Sequence, residues 1–105
     1  VKATFVDEKI EKYILSIIKA TRDREEILLG ASPRGTINLY RASQGRAVLY
    51  NRNFVTPDDV KIVAKQVLSH RLIIKPEYRL RGITAEMIME KIMAAITIPG
   101  VSRYA

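Results

Sequence analysis

Two Ser/Thr-Pro dipeptides, Ser32-Pro33 and Thr56-Pro57, limit what this chain can fold into more than any other feature. A hydroxyl at the N-cap accepts a bond from a free amide of the first helical turn. Proline at the next position loses nothing by lacking an N–H, and its fixed φ already suits a helix. Each dipeptide therefore marks a helix start. Apolar residues at helical period follow both, and two further segments share that pattern. The spacing predicts helices over about 7–21, 33–51, 57–70 and 85–96.

In the first, Ile10, Tyr13, Ile14, Ile17 and Ile18 form one stripe behind a cap at Asp7. The second carries Ile37, Leu39, Tyr40, Ala42, Ser43, Ala47, Val48 and Tyr50 on more than one face, as expected of a central helix packed on both sides. Gly45 inside it costs about 1 kcal/mol relative to Ala. In the third, Thr56 with Asp59 reads as a capping box and Val55 staples to Val60. The fourth starts at Thr84, with Ile83 stapled to Ile88, and its three methionines are expected to fill gaps in the core. Pro99-Gly100 stops it, and 101–105 reads as a tail. Thr21 to Glu26 is a charged connector, after which Ile27-Leu28-Leu29 returns to the core. Arg71 to Gly82 reads as mostly irregular, with Leu72-Ile73-Ile74 extended and pairing with Phe54-Val55. The fold class is all-α: a small bundle of four helices with at most one short extended pairing, one domain over 1–105.

At 105 residues the core is real but modest. Cysteine is absent, which excludes disulfides, thiolate metal sites and cysteine nucleophiles. No apolar run approaches the ~20 residues needed to span a bilayer, so no membrane partner is expected. Val1-Lys2-Ala3-Thr4-Phe5 lacks the pattern of a signal peptide, and without an initiator Met the chain reads as a piece of something longer. The net charge of +7 suggests an anionic partner, but the basic residues are scattered and form no block. A small basic helical nucleic-acid-binding module, with a helix-turn-helix around Asn51 to Thr56, is the alternative reading. Asp58-Asp59 at the next helix start counts against it, because acids there would repel phosphates. A third reading is a protein-interaction module that uses the methionine-rich fourth helix.

Catalytic constellations are scarce. His70 is the sole histidine and suits a structural role at a helix end. Asp58-Asp59 belongs to a first turn, where acids are favoured, and Glu25-Glu26 reads as a solvated pair. The serines lack a Gly-x-Ser-x-Gly setting or an evident base. No metal site and no independent active site are expected.

One run stands apart: Gly30-Ala31-Ser32-Pro33-Arg34-Gly35. With Thr36 it mimics a P-loop, but Thr36 stands where the phosphate-binding lysine belongs and Pro33 removes an amide. What the run does offer is Arg34 in the first turn of a helix. A guanidinium there adds to the positive end of the helix dipole and suits an anion such as phosphate. By itself such an arginine is most often a solvated surface residue.

Gly30-Ala31-Ser32-Pro33-Arg34, then Leu39 to Leu49, then Phe54-Val55-Thr56-Pro57-Asp58-Asp59-Val60, then Val67-Leu68-Ser69-His70-Arg71-Leu72 together resemble the C-terminal lid of MoxR-type AAA+ ATPases. The likeness runs from about Asp7 to Ile98, with Gly35 where the family often has Ala or Ser. It implies an all-helical lid following a nucleotide-binding α/β core. That core carries Walker A, Walker B and sensor 1, none of which is seen in this chain, so no enzyme activity is expected of the chain in isolation. It implies that Arg34 is the sensor 2 arginine, reaching the γ-phosphate of ATP held with Mg by the core. Ser32, Pro33 and Arg34 would then form the helix start facing the nucleotide. It implies contact with the chain's own N-terminal core and with neighbouring subunits of a ring, commonly a hexamer. Chaperone-like remodelling or metal-cofactor insertion in the cytoplasm, with partners bearing a von Willebrand factor A domain, completes the expectation. Neither ATP nor Mg is expected to bind this chain alone.

Overall fold

The computed structural model describes residues 4–98. The stop expected at Pro99-Gly100 and the tail over 101–105 lie outside the described residues. Within them run α1 (Glu8–Asp23), β1 (Ile27–Leu29), α2 (Pro33–Leu49), α3 (Pro57–Leu68), β2 (Ile73–Ile74), α4 (Pro76–Arg79) and α5 (Ala85–Ala95).

All four expected caps form. The Asp7 carboxylate accepts from Lys9 N, Ser32 Oγ from Gly35 N, Thr56 Oγ1 from Asp59 N and Thr84 Oγ1 from Met87 N. At Thr56 the box closes, because Asp59 accepts in return from the Thr56 amide. Helix ends differ from expectation. α1 runs past Thr21 to Asp23, and α3 stops at Leu68, leaving His70 exposed in the turn that follows. α2 ends at Leu49 because Asn51 turns to a φ of 59°, a left-handed conformation that Asn tolerates better than most residues. The Asn51 amide then donates to Val48 O and the Arg52 amide to Ala47 O, the paired bonds of a Schellman stop.

The core is built from the stripes of α1, α3 and α5, closed by Ile27, Leu72 and Ile74. Ile14, Ile17, Leu68, Ile88, Met89 and Ile92 are its large fully buried side chains, with Leu39 from α2. α2 is not buried on both sides as expected. It buries one narrow stripe, Gly35, Leu39, Ser43 and Ala47, and leaves Ile37, Val48 and Leu49 exposed. Mostly small residues four apart allow that stripe to lie close against α3, its main neighbour. Nor do all three methionines fill the core: Met89 and Met93 do, whereas Met87 is half exposed.

The extended segment at Ile73-Ile74 forms, but with another partner than expected. It pairs antiparallel with β1, Ile27 opposite Ile74 and Leu29 opposite Ile73, with an irregularity at Leu28. Phe54 instead makes an isolated parallel bridge with Phe5, where Phe5 N donates to Asn53 O at 2.7 Å and Val55 N to Phe5 O at 2.9 Å. Both choices use exposed backbone groups that any nearby extended segment could satisfy, so only the placement of the helices selects between them. The stretch expected to be irregular also hides the one-turn α4, whose start at Pro76 has no side-chain cap.

Candidate functional site

Arg34 sits in the first turn of α2 with its side chain exposed. No hydrogen bond or ion pair among the described residues engages it. Ser32 before it is extended at φ −83° and ψ 171°, then Pro33 begins the helix. Ser32 and Pro33 are exposed as well, so the whole expected site lies on the surface. Ile37 and Arg41 follow Arg34 on the same side of α2, both exposed. A shallow depression lined by Thr36, Ile37, Tyr40, Arg41 and Gln44 lies along that side.

The helix end is less of an anion cradle than its sequence suggests. Pro33 has no N–H. The Gly35 amide is held by Ser32 Oγ at 3.3 Å, and the Thr36 amide by Ser32 O at 3.2 Å. Among the first-turn amides only that of Arg34 lacks an acceptor among the described residues. Ser32 and Pro33 therefore shape the turn, and the guanidinium supplies the charge. One arginine can grip a phosphate held by something else; it cannot hold one alone.

The approach to this turn is fastened to the end of α1, which sequence reasoning missed. Thr21 is fully buried. Its hydroxyl donates to Ile18 O at 2.7 Å and accepts from Ala31 N at 3.1 Å. Next to it, Arg22 Nε donates to Ala31 O at 3.0 Å. A Cβ on Gly30 would stand 2.5 Å from Thr21 O, so only glycine allows this backbone contact. The signal was available: Thr21 continues the buried series Ile10, Ile14, Ile17, yet it is polar. Gly35, by contrast, has room for a methyl group, with Ala31 Cβ at 3.4 Å as its nearest neighbour.

A second polar cluster fixes the other end of α2. Asp59 is buried and accepts two bonds from Arg52, at 2.7 and 2.8 Å, and one from Thr56 N at 2.8 Å. Arg46 approaches the same carboxylate at 3.7 Å and stacks 4.6 Å over the Tyr50 ring. Burial alone would raise the Asp59 pKa; Arg52 and Thr56 outweigh it and hold the carboxyl below its ordinary value. The Asp58-Asp59 pair is thus split, since Asp58 faces solvent while Asp59 is neutralised. Arg46, in the last turn of α2, and Arg52, in the connector the nucleic-acid reading relied on, are both committed to it. Glu25-Glu26 is not simply solvated either. Tyr78 OH donates to Glu25, and Arg24 forks onto Glu26 with bonds of 3.0 and 3.1 Å that lower the Glu26 pKa. His70 meets no cluster: among the described residues, no group of three or more His, Cys, Asp or Glu side chains could hold a metal ion. No described helix is long and apolar enough to cross a membrane.

Residues 19–92 match the family described as the AAA lid domain. The chain belongs to the AAA lid domain family. Its lid is of the MoxR type. It is 27% identical over 107 residues to the chaperone MoxR1 of Mycobacterium tuberculosis, covering 93% of this chain and 28% of that protein. It is 42% identical over 93 residues to an uncharacterised protein of Bacillus subtilis, YeaC, covering 89% of this chain and 29% of that protein. The fold agrees with the crystal structure of a candidate ATPase from Cytophaga hutchinsonii, at a TM-score of 0.87 and 35% identity, over 92% of this chain and 32% of that one. The AAA lid thus spans under a third of the length of each of these proteins. Arg34 lies inside the matched region, as do Thr21 and Asp59.

Proposed function

We propose that this AAA lid senses the nucleotide of an ATP-hydrolysing AAA+ protein through Arg34, the sensor 2 arginine. The ATP and its Mg ion belong to a nucleotide-binding core outside this chain. The observation that carries the reading is an uncommitted, exposed guanidinium at a rigid helix start in a lid of this family. Such a group stabilises charge spread over a transferring phosphoryl group, provided it is held in place before the reaction. Ser32 and Pro33 provide part of that order. The outward face with Ile37 and Arg41 is where the core would lie. As nucleotide is bound and hydrolysed, the contact at Arg34 forms and breaks, and the lid angle follows.

The whole protein is then a chaperone-like remodelling or cofactor-insertion ATPase of the cytoplasm, working as a ring, commonly a hexamer. Its neighbouring subunits and von Willebrand factor A domain proteins are its proposed partners. The relative named a chaperone supports that reading. The test is Arg34→Ala in the full-length protein. ATP turnover is expected to fall by about 2–4 kcal/mol of transition-state stabilisation, the loss of one preorganised donor. A wild-type rate in that variant would remove the assignment.

A further inference from the structure

We infer that Thr21, assisted by Arg22, is the positioning residue that aims Arg34; this rests on the sensing reading above. Consecutive residues at the end of α1 hold both polar groups of one residue's backbone, Thr21 Oγ1 the amide of Ala31 and Arg22 Nε its carbonyl. Ala31 is buried, and Gly30 before it lies directly on the Thr21 carbonyl. Beyond Ala31 the backbone up to Arg34 is short and held locally. Ser32 takes the Gly35 and Thr36 amides, and Pro33 fixes its own φ. Arg34 is thus tied to the last turn of α1 through hydrogen bonds and helix alone.

A simpler arrangement was available at this position. The stripe Ile10, Ile14, Ile17 would continue with an aliphatic residue, and Val has the shape of Thr. Val there would bury the Ala31 amide without an acceptor. The hydroxyl instead spans two segments, since it also donates back to Ile18 O. α1 packs against α2, α3 and α5, so any displacement of the bundle around α1 carries the Arg34 turn with it. Arg34 therefore reports the position of the bundle, and a nucleotide pulling on Arg34 moves α1.

The test uses the full-length protein. Thr21→Val keeps the shape and removes the hydroxyl; kcat is expected to fall about tenfold, as small misplacements of a catalytic group do. The KM for ATP should stay within about twofold, because the interaction lost is one made in the transition state. Thr21→Ser keeps the hydroxyl and is expected to retain turnover to within about twofold. In an Arg34→Ala background, Thr21→Val should slow turnover no further, because a residue acting through Arg34 has nothing left to aim. A Thr21→Val protein with normal kcat, or a loss that multiplies with that of Arg34→Ala, overturns the positioning role. If Arg34→Ala itself turns over normally, the sensing reading falls first and the positioning role with it. Should Thr21→Val not fold, the exposed Arg22→Met keeps the length of the side chain and removes the donor to Ala31 O. It is expected to cost about threefold in kcat, again vanishing without Arg34, and a wild-type rate overturns the proposal.

Discussion

At the scale of single residues, two glycines that look alike in sequence have opposite consequences. Gly30 faces the backbone of Thr21 and Arg22, where a Cβ would come within 2.5 Å of a carbonyl oxygen that cannot swing aside. Gly30→Ala is expected to cost about 1–3 kcal/mol, the range for forcing atoms into a filled site. Gly45 has nothing within 4 Å of its would-be Cβ, so close packing is not its purpose. Gly45→Ala should add about 1 kcal/mol from helix propensity alone. Urea denaturation of the two variants beside the wild type checks both signs. The presence of both glycines was plain in sequence. Their difference was not, because it depends on a segment nine residues upstream that packs against one and not the other.

At the scale of elements, the α2–α3 corner is set by one carboxylate. Asp59 closes the capping box of α3, takes the fork of Arg52 and lies near Arg46, so the turn between the helices cannot open without unpairing a buried charge. Its pKa is lower in the folded chain than in the unfolded one. The unfolded carboxyl therefore binds a proton more readily, and the stabilisation is present above the ordinary value of about 4 and lost as pH falls through the folded value. Wild-type stability should hold from neutral pH to about 5 and then decline as this group protonates. Asp59→Asn is expected to be less stable at pH 7 by about 2–3 kcal/mol, the worth of hydrogen bonds to a charged group. That gap should close in acid, as followed by denaturation between pH 7 and 2; a gap of constant size would contradict it. The capping box itself was legible, since Thr56, Pro57 and Asp59 are neighbours in sequence. The ion pair was not, because the turn that brings Arg52 back depends on Asn51 adopting a left-handed conformation.

For the whole molecule, the proposed phosphate contact is the exposed guanidinium of Arg34, and among the described residues there is no metal-binding cluster. A single charged hydrogen bond contributes about 1.5–3 kcal/mol, short of the roughly 4 kcal/mol that even a millimolar Kd requires. Calorimetric titration of this chain alone with Mg-ATP should accordingly show no saturable binding; a micromolar Kd would refute the view that the nucleotide is held elsewhere. Local chemistry determined the four long helices, their caps and the candidacy of Arg34, because N-caps, proline starts and apolar stripes act between residues within a few positions of each other. The remaining features were decided by the tertiary structure. Ile73-Ile74 joins β1 rather than Phe54, α2 buries one stripe rather than two, and Thr21 fastens the turn before Arg34. Each is a choice among partners of nearly equal local merit, and only the packing of α1, α3 and α5 into one core puts one partner within reach and the others out of it.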